Sequence, residues 1–344
     1  MRLSRLRLLA LTGILETMPA QTVEFVADPM PTPSCHASTI VELKDGSLMA
    51  AWFGGSREGA PDVAIWGAKR SKEGWQRPIE LVREPEIATF NPVLFHSADG
   101  VLWLYYKFGP KPDNWTAGRR WSRDQGATWS PVEHLPAGIY GPIRAKPLVQ
   151  PDGTILSGTS VESYRSWACW VERSTDNART WTRHGPIQVQ LDPDKQRQVE
   201  ASGQTHGIIQ PVVVPMGGNR LRLYARSRPT IGRICVSDSY DNGITWTPAR
   251  PTDLPNPNSG IDVLRLQDGR FVLIYNHTAT GRSPLNLAVS SDGHRWSMFQ
   301  VLESEPGEYS YPALIQGRDG DLDITYTWNR TRIRYVHWPL SKVP

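Results

Sequence analysis

Arg57, Arg226 and Arg282, with Lys107 and Lys146, are cations that recur at comparable places along this 344-residue chain. Arginine presents a planar fork of donors that matches a carboxylate in two-point contact, so the set could hold a small anion. Asn91, Gln210 and Tyr311 add hydrogen-bonding groups, and Trp52, Trp115 and Trp328 lie near enough in sequence to offer an apolar face to a sugar ring. His36 is a group able to move a proton. The chemistry open to such a collection is recognition of a small acidic ligand.

These residues are far apart in sequence, so a repeating scaffold must gather them. A Gly-containing pair between two apolar runs occurs at Asp45-Gly46, Asp99-Gly100, Asp152-Gly153, Gly217-Gly218, Asp268-Gly269 and Asp319-Gly320, at intervals of 54, 53, 65, 51 and 51 residues. Asp-Gly between β-rich runs predicts a hairpin with a type I′ turn, in which both central residues take positive φ. A second motif falls about half a period later. Ser122, Asp124, Gly126, Thr128 and Trp129 form a full Ser-x-Asp-x-Gly-x-Thr-Trp match, as do Ser239 to Trp246; Ser174 to Trp181 has Ala178 for the glycine, and Ser71 to Trp75 and Ser290 to Trp296 are shortened. Its expected role is structural: a self-closed turn whose tryptophan plugs the space between neighbouring sheets.

Two turns per period of about 50 residues make four antiparallel strands, the size of one propeller blade. The expected fold is therefore all-β, a six-bladed β-propeller of four-stranded antiparallel blades. Residues 1–20 read as an N-terminal extension and 21–344 as a single propeller, with a strand over 22–27 supplying the last blade's missing outer strand. The innermost strands then begin near His36, Asn91, Lys146, Gln210, Asp262 and Tyr311, and the second strands end near Arg57, Lys107, Glu162, Arg226, His277 and Trp328. All of these converge on one face around the axis. Buried charges at such crowded ends cost several kcal/mol unless they serve a ligand or one another, so one shared polar pocket is expected.

A formal net charge of +4 without a basic stripe argues against nucleic acid. Cys35, Cys169 and Cys235 neither pair closely nor form a zinc motif, and read as buried thiols. His206, His277, His294 and His337 lie at unrelated spacings, so no metal or cofactor is expected. The basic start and short apolar stretch of residues 1–15 resemble a weak signal peptide but are too short for membrane insertion; cytoplasm is placed ahead of export, and an over-annotated start codon is a third reading.

On these residues the chain resembles the sialidases (neuraminidases) with Asp-box (BNR) repeats, from about residue 33 onward. The likeness rests on Arg57 followed five residues later by Asp62, on Tyr224-Ala225-Arg226-Ser227, on Tyr275-Asn276-His277 followed by Arg282, and on Tyr309-Ser310-Tyr311-Pro312. The resemblance implies an exo-acting glycoside hydrolase that releases a terminal acidic sugar with retention, Tyr309 attacking the anomeric carbon and Asp62 serving as acid and then base. Arg226 and Arg282 would bind the substrate carboxylate. There are two departures. His36 stands where the family places its first carboxylate-binding arginine, and no acid falls near Ile208 to Gln210 to activate the tyrosine, though Glu162 in the adjacent blade could substitute.

Other roles stay open. Asp62 could cap loop N–H groups or pair with Arg57, Tyr309 could be a packing residue beside Tyr311, and the arginines could bridge blades. With His36 as acid/base the same scaffold could be a uronate-linked glycan lyase or a rhamnosidase-like enzyme. With neither departure repaired it could be a non-catalytic propeller that binds acidic glycans.

Overall fold

A computed structural model describes residues 21–163 and 166–344; the N-terminal extension and its signal-like stretch lie outside the described residues. Among the described residues the chain is all-β apart from one α-helix, Pro193–Ala201, and two short 3-10 turns. The strands pair as successive antiparallel meanders. The first runs Ser34–Glu42, Leu48–Gly55 and Ala64–Ser71, edged by Gly74–Trp75 and Ile79–Val82. Thr89–His96, Leu102–Phe108, Thr116–Ser122 and Glu133–His134 form the next. An eight-stranded sheet follows, made of two meanders, Leu148–Val149 through Thr182–Ile187 and His206–Gly217 through Arg250–Pro255. A short parallel pairing, Ser166 with His206 and Trp167 with Gly207, joins them. Asp262–Arg265 through Ser297–Glu303 form a four-stranded sheet, as do Tyr309–Gln316, Leu322–Trp328 and Arg332–Trp338 with Thr22–Phe25 at the edge. That edge strand, expected over 22–27, pairs Thr22 with His337 and Phe25 with Arg334.

The turn chemistry differs from the expected type I′. At the five Asp-Gly turns only the glycine has positive φ, from 78° at Gly100 to 93° at Gly269. Gly46 N–H donates to Leu43 O and Leu43 N–H to Ser47 O, and the same pair of bonds recurs at the other four. This is a type I turn closed by a glycine bulge, the three-residue alternative to the two-residue loop. The second motif closes on itself as expected: Asp124 accepts from Thr128 N–H at 2.8 Å and Thr128 Oγ1 at 2.6 Å, and Ser122 Oγ accepts from Gly126 N–H. Trp129, Trp181, Trp246 and Trp296 pack against separate apolar clusters between sheets.

One irregularity recurs on the inner strands. Pairing slips between His36 and Thr39, Phe90 and Val93, Ile209 and Val212, and Ser310 and Ala313. The residue inside each slip has positive φ: Ala37 at 54°, Asn91 at 40°, Gln210 at 54° and Tyr311 at 51°. A bulge of this kind re-aims a side chain that regular alternation would have sent elsewhere. Proline follows three of the four, supplying no N–H where the ladder is interrupted.

Candidate functional site

Tyr311 is the centre of the site. Its hydroxyl accepts from Arg226 Nη1 at 2.8 Å and from Gln210 Nε2 at 3.2 Å. The guanidinium carbons of Arg144, Arg226 and Arg282 stand 5.3, 5.6 and 5.6 Å from its ring centroid. The His36 ring lies 4.4 Å away, centroid to centroid. Arg226, at the end of the strand Arg220–Ser227, is further held by Asn258 Oδ1 and Gln210 Oε1. Arg282 spends Nη1 on Glu308 at 2.8 Å; Arg330 pairs with the same Glu308 through Nε and with Glu58 through Nη1.

Each perturbed group has a physical cause. Burial, then the charges of Arg330, Arg282, Arg144 and Arg226, hold His36 well below the ordinary imidazole value, so it is neutral, and its buried Nδ1 has no partner. Burial raises the Tyr311 hydroxyl, but Arg226, Arg282 and the Gln210 hydrogen bond outweigh it and leave the phenol below its ordinary value. Burial pushes Arg144 down to about 10. Burial likewise raises Glu162 against the pull of Arg226 and Arg228. Glu308 goes the other way, its desolvation outweighed by the Arg330 hydrogen bond and by the charges of Arg282 and Arg330.

The structure thus brings together His36, Gln210, Arg226, Arg282 and Tyr311. Tyr309 does not join them. It is 2 % exposed in an apolar cluster with Leu285, Leu314 and Tyr326, because it precedes the bulge that re-aims Tyr311. Asp62 is exposed on the rim loop, where its carboxylate accepts from Ser56 N–H and Oγ, both at 2.9 Å, which holds it below the usual range. Arg57, beside it, is exposed. Lys146 turns away to pair with Asp262 at 2.8 Å. Lys107 is buried and pushed down to about 7 by desolvation, donating to Pro142 O at 2.8 Å. Asn91 donates to Ile143 O. Both bonds go to the segment that carries Arg144.

Of the three tryptophans expected at the site, Trp52 is fully buried, Trp328 packs on Phe25, and Trp115 borders the aromatic row of His36, Phe53 and Phe90 beside Tyr311. Arg144, Arg330, Glu58 and Glu308 escaped sequence reasoning. Arg144 sits two residues before Lys146-Pro147 in a segment that is not a regular strand, where counting along strands points to Lys146.

The arrangement is a set of guanidiniums around one phenol with donors left over: apart from the Glu308 contact, the Arg282 guanidinium donates to no protein group among the described residues. It can take a carboxylate beside a nucleophilic oxygen. Comparison with known proteins adds a family. Residues 46–324 match the model of the BNR repeat-like domain.

The chain belongs to the BNR repeat-like domain family.

No curated protein matches it in sequence. Among solved structures, this BNR repeat-like chain is similar to a protein of unknown function from Dyadobacter fermentans, with a TM-score of 0.73 and 16% identity over 93% of this chain and 98% of that one. It is similar to the Hadza microbial sialidase, with a TM-score of 0.72 and 17% identity over 91% and 67% of the two chains. The intramolecular trans-sialidase from Ruminococcus gnavus follows at 0.69 and 13%, over 94% and 98%. At these identities the likeness is one of fold.

Proposed function

We propose that this protein is an exo-acting glycoside hydrolase that releases a terminal acidic sugar with retention, on a single unit of six blades spanning residues 21–344. Tyr311, rather than Tyr309, is the nucleophile. The observation that carries this reading is the Tyr311 hydroxyl in direct contact with Arg226, beside the unspent donors of Arg282. Hydrogen bonds between neighbouring meanders support the six-blade reading: Leu94 N–H donates to Thr39 Oγ1, Gln210 N–H to Ser160 Oγ, Leu314 N–H to Asp262 and Ala37 N–H to Thr327 Oγ1.

In this mechanism Arg226 and Arg282 fix the sugar carboxylate. The Tyr311 oxygen bonds to the anomeric carbon as the glycosidic C–O bond breaks, and the leaving oxygen takes its electron pair and a proton from a carboxylic acid. Water then attacks the glycosyl-tyrosine, gives its proton to that carboxylate and releases the tyrosine oxygen. Tyrosine nucleophiles are a known exception to the two-carboxylate pattern. The acid is assigned to Glu162, whose carboxyl burial raises above its ordinary value, whereas the hydrogen bonds from Ser56 lower Asp62. Fluorogenic glycosides of sialic acid, a keto-deoxy acid and a uronic acid test the reading: turnover of at least one, lost in Arg226→Met with Arg282→Met, supports it, and no turnover or binding of any acidic sugar sinks it.

One observation favours a second reading. A neutral His36 with an unpaired Nδ1 next to Tyr311 could abstract the proton beside a uronate carboxylate while Tyr311 protonates the leaving oxygen. A product absorbing in the near ultraviolet, from the new double bond, would select this lyase over the hydrolase.

A further inference from the structure

A tyrosine nucleophile usually needs a base for its proton, and among the described residues no carboxylate accepts a hydrogen bond from the Tyr311 hydroxyl. Its two polar contacts are both donors. The orientation of Gln210 is determined by its neighbours: Arg226 Nη1 donates to Gln210 Oε1 at 3.0 Å, which leaves the Gln210 Nε2 amide facing the Tyr311 oxygen at 3.2 Å. Flipping the amide would set two donors against each other on one side. Gln210 is itself 3 % exposed, and its positive φ holds it at the bulge opposite Tyr311.

Arg144 completes the arrangement from below. It is 3 % exposed, donates to Ile261 O at 3.1 Å and to Pro312 O, and keeps its buried Nε without a partner. A carbon built on Gly260 would lie 3.6 Å from Arg144 Nε, 3.6 Å from Tyr311 Cγ and 3.7 Å from Gln210 Oε1, so the three side chains converge on one glycine. A desolvated guanidinium beside a π-face is favourable, and more so when the ring becomes anionic.

We propose that Tyr311 is activated by stabilisation of its phenolate, with Arg226 and Gln210 donating to the oxygen and Arg144 as a positioning charge under the ring, in place of a general base. This rests on Tyr311 as the nucleophile. The phenol proton passes to bulk water before substrate enters; no protein group takes it. The groups that face Tyr311 are the cations Arg144, Arg226 and Arg282, the neutral ring of His36, and Glu58, whose charge opposes ionisation. Arg330 engages Glu58 and so limits that opposition. The direction of the Tyr311 shift agrees with the same balance.

Gln210→Glu separates this account from the alternative, because it replaces a donor by the carboxylate that a base-assisted tyrosine would want. Tyrosinate absorbance is followed through an alkaline titration of the full chain, with Tyr311→Phe subtracted to isolate the one residue. Tyr311 is expected to ionise below the ordinary phenol value in the wild type, to move up by about one pH unit or more in Gln210→Glu, as a neighbouring like charge demands, and to move up in Arg144→Met but less in Arg144→Lys. Gln210→Met serves if Gln210→Glu fails to fold, with the same upward shift expected. An unshifted midpoint in these variants, or faster neutral-pH turnover in Gln210→Glu, overturns the proposal. The titration needs no substrate, so a shifted midpoint without turnover of any glycoside faults the hydrolase reading alone.

Discussion

Arg226 donates to the Tyr311 hydroxyl at 2.8 Å, while Tyr309, two residues earlier on the same strand, is enclosed by leucines. Tyr311→Phe is expected to lower kcat by at least about a thousandfold, as loss of a covalent nucleophile does, with the substrate's Kd little changed. Tyr309→Phe removes a hydroxyl that makes no side-chain hydrogen bond among the described residues, and should leave kcat within a few-fold. Parallel steady-state and binding measurements on the two variants decide between the tyrosines.

Glu162 and Asp62 are separable by leaving group. If Glu162 gives the proton, Glu162→Gln should slow a glycoside with a poor leaving group by about a hundredfold or more, and spare one whose leaving group departs without help. Asp62→Asn should show no such dependence, since Asp62 is occupied with Ser56. The reverse pattern would return the acid role to Asp62.

Glu172 is a third point of attack. It is fully buried, raised to about 7 by desolvation, and accepts from Tyr140 N–H at 3.0 Å and Gly141 N–H at 2.6 Å, on the segment that leads to Arg144. Glu172→Ala strands two backbone donors and should cost about 3 kcal/mol in a denaturant titration. Turnover should fall with it, because Arg144 follows that segment.

His337 links stability to pH on the last sheet. Its Nδ1 faces Asp323 at 3.1 Å and its Nε2 faces Asp321 at 3.3 Å, and the Asp323 hydrogen bond, outweighing desolvation, raises the imidazole above its ordinary value. The folded state therefore binds the proton more tightly than the unfolded one. The contribution is complete below about pH 6.5, the unfolded value, and is lost as pH rises through the raised folded value. The Tm difference between wild type and His337→Gln should be largest in mild acid and shrink toward alkaline pH; a difference independent of pH would contradict it.

The repeat was legible because each turn demands a particular residue: glycine at positive φ in the hairpins, and aspartate, serine and threonine closing the second motif. Arg226 was legible for a related reason, since strand ends can be counted from those turns, and Arg282 through the resemblance, which places it after Tyr275-Asn276-His277. The tyrosine was not. Residues 309 and 311 alternate onto the same face in a regular strand, and only the bulge, hinted at by Pro312 and its counterparts Pro92 and Pro211, parts them. Arg144 and Lys146 were confused because the segment before Leu148 is irregular, so period-2 counting had no meaning there. On the first sheet's loop, Arg57 and Asp62 sit at the family interval, yet Glu58 between them is the side chain that pairs with Arg330. Spacing alone cannot tell which of two nearby carboxylates a loop turns inward.

Covalent attack by Tyr311 leaves a glycosyl-enzyme that can be trapped. The direct measurement is intact-protein and peptide mass spectrometry after reaction with an activated fluorinated acidic sugar, whose glycosyl-enzyme forms readily and hydrolyses slowly. A mass increase of one sugar per chain is expected, mapped to Tyr311 and absent in Tyr311→Phe. A label on Tyr309 or on any carboxylate, or turnover of acidic glycosides with inversion and no adduct, would contradict it.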